Sequence, residues 1–116
     1  MHRQPVRFVS VLALAATSLA QNGRTAGRNE EPSWSALSGS MQKMHAAMSS
    51  VKPSGNVDTD FVALMLPHHQ AAIDMAKAEL IHGKDPQMRR LAQEIITDQQ
   101  SEIDLMQLWL KQHPQK

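Results

Sequence analysis

An all-α fold, a small antiparallel helical bundle of three main helices, follows from three observations. No segment alternates apolar and polar residues with period two, which removes every strand candidate. Three segments instead carry apolar residues at the i, i+3, i+4, i+7 spacing of a helix. Only Gly83-Lys84-Asp85 separates the second from the third, and so short a connection forces antiparallel neighbours.

The chain of 116 residues is long enough for one domain, and its start reads as an export signal rather than fold. His2, Arg3 and Arg7 precede FVSVLALAATSLA, an apolar run of about 13 residues within the 7–15 range of a secretory signal. Ser18-Leu19-Ala20 supplies the small residues for a cut before Gln21. An uncleaved anchor is disfavoured, because a spanning helix needs about 20 apolar residues. We therefore expect residues 1–20 to be a signal peptide and the product to be periplasmic or secreted, with no stable membrane anchor once processed. Residues 21–33, polar and rich in Gly, Asn and charge, read as a flexible leader. The helical domain is expected over residues 34–113.

Cleavage removes two of the 12 Lys and Arg and none of the 11 Asp and Glu, leaving net charge −1. That balance, with no basic block and no aromatic platform, gives no footprint for nucleic acid. The absence of cysteine removes disulfides, thiolate metal sites, a thiol nucleophile and a lipid-modified cysteine. Helix packing, self-association or a bound metal must stabilise so small a domain.

The first helix is expected from near Ser33 or Ser35 to about Ser50, with Leu37, Met41, Met44, His45 and Met48 on one stripe. KPSGN at 52–56 reads as a loop. Asp58, Thr59 and Asp60 are N-cap candidates for the second helix, Pro67 is expected to kink it, and Gly83 to end it as a C′ residue. The third helix is expected from Pro86, behind Asp85 as N-cap, to about Gln112. Its apolar face includes Met88, Leu91, Ala92, Ile95, Ile96, Ile103, Met106 and Leu110, interrupted by Gln99 and Glu102.

Chemistry concentrates on the second helix. At about 100° per residue, Phe61, Met65, His68, Ala72, Met75, Glu79 and His82 share one stripe, while His69 and Ile73 form its flank. The expectation is that this stripe faces inward, with thioethers and imidazole where a packing helix would place Leu or Val. Thioether and imidazole together favour Cu(I) or a similarly soft ion such as silver. Met41, Met44, His45 and Met48 form a second such set. The alternative for both sets is ordinary packing, since Met fills core gaps and His68 then sits satisfied inside. Gln99 and Glu102 are candidates to orient a histidine. Asp74 points away and reads as solvated, or as a partner of Lys77. Glu79-Leu-Ile-His82 has the Glu-x-x-His spacing of di-iron bundles, but the chain offers one such motif where two are needed. No nucleophile–base–orienter set can be assembled, so no enzyme is expected. Lys and Arg read as solvated faces.

From Asp60 to Leu110 the chain resembles the domain of unknown function 305 family. The residues that carry this are Met65-Leu-Pro-His-His-Gln70, Ile73-Asp-Met75, Gly83, Asp85-Pro86 and Gln99-x-x-Glu102-Ile103-x-x-Met106. The resemblance implies a ferritin-like half-bundle in an exported protein, similar to the CopM-like copper-binding members. It also implies metal ligation by Met65, His68, His69 and Met75, the first-helix set as a second candidate, and Asp74 as a hydrogen-bond partner of a histidine.

The expected function is therefore binding of Cu(I), or Ag(I), for sequestration, tolerance or hand-over, with zinc or iron as weaker choices. Its partners would be the metal ion, another copper-handling periplasmic protein, and further copies of itself. The rival expectations are a helical interaction module without a defined metal, and a di-iron or zinc carboxylate–histidine protein.

Overall fold

The computed structural model describes residues 31–114, so the expected signal peptide and most of the expected leader lie outside the described residues. Three helices account for the domain, α1 (Pro32–Ser49), α2 (Val57–His82) and α3 (Pro86–Gln112), with no strand among the described residues. Pro32 and Ser33 belong to α1 rather than to a leader, and proline at the helix start loses no hydrogen bond there.

The α2 N-cap is Asn56, not one of the expected Asp58, Thr59 or Asp60. Its side-chain oxygen accepts from the backbone N–H groups of Asp58 and Thr59 at 2.9 and 3.1 Å. Asp60 is used differently: its carboxylate accepts from Ser54 N–H at 2.9 Å and ties down the preceding loop. Within that loop Gly55 adopts φ 85°, which only glycine takes without steric penalty. α2 runs through Pro67 uninterrupted to His82.

Gly83 ends α2, but in extended rather than left-handed backbone (φ −73°, ψ 153°). Closeness, not a positive φ, calls for glycine. Its N–H bonds Glu79 O at 2.7 Å, and a Cβ there would stand 2.6 Å from that same oxygen. The α2 terminus is also held by Arg89, whose Nη1 donates to Leu80 O at 2.6 Å and Gly83 O at 3.1 Å. A cation on the last carbonyls opposes the negative end of the helix dipole. Arg89 is thus a fastener and not part of a solvated face. Asp85 caps α3 as expected, accepting from Gln87 and Met88 N–H at 2.9 and 3.0 Å.

α2 is the central helix. Val62 and Ile73 meet Ile103 and Met106 of α3, with Met65, Leu66, Ile96, Trp109 and Leu110 around them. Burying each such side chain stabilises by about 1.5–3 kcal/mol. On its other flank α2 offers the buried Ala71 and Ala78 to α1, which has no buried residue of its own. α1 runs antiparallel to α2: Ser33 lies beside His82, and Ala47 beside Pro67. No Cα of α1 comes within 8 Å of one in α3. Among the described residues the bundle is consequently a layer with α2 in the middle, and the side of α2 between its neighbours stays open.

Candidate metal centre

The inward residues of α2 are Val62, Leu66, His69, Ile73 and Ala76, spaced three and four apart toward α3. The stripe expected to face inward lies about 100° round the helix from them. Phe61 is 59% exposed and His68 is exposed, while Met65 and Met75 are half-buried. The expectation of an interior seam is therefore corrected: this stripe borders the open side of the layer. The physical reason is that α2 is apolar around most of its circumference. Its own sequence does not say which face its neighbours choose.

His69 carries a cross-helix side-chain pair on the α2–α3 seam. Nδ1 lies 2.9 Å from the carbonyl oxygen of Met65, which can only accept, so Nδ1 carries the proton and donates. Nε2 is hydrogen-bonded to Glu102 Oε2. The imidazole is mostly covered (14% exposed) and the carboxylate half in water (54%), so Glu102 sits at the seam's edge and not inside it. A histidine that gives one N–H to a backbone carbonyl presents the other nitrogen in a fixed direction, the usual arrangement behind a metal-ligating ring. Here that direction is taken by Glu102. His68 differs: its ring centroid is 6.3 Å from that of His69 at 59°, and the ring faces solvent.

The four residues Met65, His68, His69 and Met75 do not form one coordination sphere. With 1.5 Å of rise per residue, Met65 and Met75 stand about 15 Å apart along the axis. Met65 and His68, three residues apart, are neighbours. Met75 instead lies in an apolar groove with Met88, Leu91 and Ile95 of α3 and Leu37 of α1. Met88 is the thioether that sequence reasoning passed over as ordinary core; it is 48% exposed, and only the hairpin brings it to Met75.

On α1, Met44 turns to α2 and lines a cleft with Ser40, Lys43, Ala47, Pro67 and Asp74. Met41 and His45 are exposed and Met48 half-buried. Asp74 accepts from Gln70 Nε2 at 3.1 Å in that cleft, so its partner is a glutamine of its own helix, not a histidine or Lys77. Gln99 is half-buried on the seam, one turn from Ile103. Glu79 borders two grooves near the α2 terminus, and His82 is exposed. Among the described residues no three His, Asp or Glu side chains converge as a metal site would require. What the hairpin offers are two-donor sets: Met65 one turn from His68, Met75 and Met88 lining one groove, and His69 hydrogen-bonded to Glu102.

Residues 9–110 match the family described as Domain of unknown function (DUF305), a span that begins inside the expected signal peptide. A stretch of 49 residues is 43% identical to "Uncharacterized protein L153" of Acanthamoeba polyphaga mimivirus. It covers 42% of this chain and 32% of that protein, so the chain matches about a third of that relative's length.

Proposed function

For a chain that belongs to the domain of unknown function family DUF305, we propose binding of a soft monovalent ion, Cu(I) or Ag(I), by thioether and imidazole groups on the open side of α2. Sequestration or hand-over in an exported setting is the role that reading implies. The observation that carries it is the position of His68, a solvent-facing imidazole one turn from the thioether of Met65. Thioether and imidazole are the donor types that soft copper prefers. His69 serves as a positioning residue, because both of its nitrogens are already engaged. Met75 and Met88 offer a second thioether pair farther along the helix. Open, two-donor sites suit transfer, since a ligand from an acceptor can enter before the ion has left.

Titration of the purified protein with Cu(I) against a chromophoric chelator tests this. The paired change Met65→Ala and His68→Ala should lower Cu(I) affinity by at least about tenfold, while Lys77→Ala leaves it unchanged. Equal effects of the two would remove the site from this face. The contact between His69 and Glu102 favours a second reading, a harder ion such as zinc held by imidazole and carboxylate. Metal analysis after purification without added copper separates the two: stoichiometric zinc or iron lost in Glu102→Ala would support the second.

A further inference from the structure

α1 is the least secured of the three helices. None of its residues is buried, and its N-cap Glu31 supplies no side-chain hydrogen bond. Gly39 lies in its interior, where a Cβ would meet nothing within 4 Å. Packing therefore does not call for glycine there, and the residue only loosens the helix. The α1 serines bond within α1: Ser40 Oγ donates to Ala36 O at 2.9 Å and Ser49 Oγ to His45 O at 2.7 Å. α1 rests on α2 through half-buried Leu37, Met44 and Met48, over the alanines Ala71 and Ala78. Its neighbours fix the side on which Met48 stands. Lys43 and Ala47 line a cleft with Gln70 and Asp74, on the side of α2 opposite the stripe of Met65 and His68. Leu37 lines the groove that holds Ala72 and Met75, on the stripe's own side. Met48 comes three turns after Leu37, within about 20° of it, and so shares that side. Ala47 is beside Pro67 in the antiparallel pair, which sets Met48 level with the turn carrying Met65 and His68.

We propose that Met48 is the third donor of the Met65–His68 site, and that a soft ion bound there fastens α1 to α2. This rests on the soft-ion reading of that face and adds what the ion does to the protein. Met65 and His68 both belong to α2 and keep their places whether α1 is docked or lifted. Met48 joins them only when α1 is docked. Two thioethers and one imidazole then surround the ion, a donor set that a soft monovalent ion favours over one thioether and one imidazole. An ion that gains a donor in one form binds that form more tightly, and shifts the equilibrium toward it by the same factor. Lifting α1 removes the added donor and leaves the pair on α2, with the open side free for a ligand from an acceptor. The loosely held arm is thus what lets the site change between holding an ion and giving it up.

Amide hydrogen exchange of the purified protein, metal-free and with saturating Ag(I) in chloride-free buffer, reads the arm directly. Without ion, the amides of α1 should exchange before those of the α2–α3 hairpin. Ag(I) should slow them by about tenfold or more. Met48→Leu keeps the side-chain volume and removes the sulfur. Its metal-free exchange should match wild type, the slowing by Ag(I) should vanish, and its Ag(I) affinity in chelator competition should fall by that same factor. Met88→Leu, which removes a thioether from α3, should leave the slowing intact. α1 amides as protected as the hairpin in the metal-free protein overturn the proposal. So does Ag(I) binding that leaves α1 exchange unchanged, or a Met48→Leu variant that still shows the slowing; in both of these the soft-ion reading stands. A wild type that binds neither Ag(I) nor Cu(I) ends both.

Discussion

His68 and His69 are adjacent in sequence and opposite in circumstance. His69 is covered and bonded at both nitrogens, so His69→Ala removes a helix-to-helix bond and leaves Glu102 without its partner. We expect a loss of about 1–2 kcal/mol in urea unfolding. His68→Ala should stay within about 0.5 kcal/mol of wild type, as exposed substitutions do, while weakening Cu(I) binding. A thermal-melt and chelator-competition series on the two variants reads both effects. If the donors are mixed, Cu(I) binding should weaken only in part at pH 5, because an imidazole competes for the ion with protons and a thioether does not. Complete loss at pH 5 in the same competition assay would argue against thioether ligation. The candidate residues were legible from sequence because Met and His are unusual on a helical stripe. Their mutual positions were not. Met88 met Met75 through the hairpin, and Asp74 was settled by its neighbour Gln70 rather than by its distance from the histidines.

The three helices owe their ends to local chemistry, and that is where element-level changes should register. Asn56→Ala removes both acceptor contacts at the α2 start, and Asp85→Ala those at the α3 start. Each should lower stability by about 1 kcal/mol in chemical unfolding, the usual loss for an N-cap. Gly83→Ala should be worse. Its Cβ would meet backbone oxygen at 2.6 Å, so α2 must unwind its last turn or the loop must shift. A loss of about 1–3 kcal/mol is expected, read by the same unfolding curves. Arg89→Met should compound this by freeing the Leu80 and Gly83 carbonyls. Asp85-Pro86 was readable as a helix start because cap and proline sit together. Asn56 was not, because three acidic or hydroxyl residues just after it competed for the same role. Its success comes from the loop, which occupies Asp60 with Ser54.

At the scale of the molecule, α2 packs against both neighbours, whose backbones stay apart from each other. Its alanines decide how closely α1 and α3 approach. Ala76, 5% exposed, is one of them, and Ala76→Leu should cost about 1–3 kcal/mol by overpacking, visible as a lower midpoint of thermal unfolding. The family assignment and the all-α bundle were within reach of the sequence, since helical period, caps and loop length are properties of short stretches. Which side of α2 faces inward was not, and the stripe was misjudged by about one residue's turn. A helix apolar around most of its surface has no preferred direction of its own. α3, with a clear apolar face and Glu102 at its edge, sets the seam by pairing with His69. By itself, then, the sequence determined the number and approximate extent of the helices, the Asp85 cap of α3 and the donor types they carry. The tertiary structure alone decided which donors stand together and which side stays open. Helix formation is governed by contacts within four residues, whereas facing is governed by where a partner helix finds the most surface to bury.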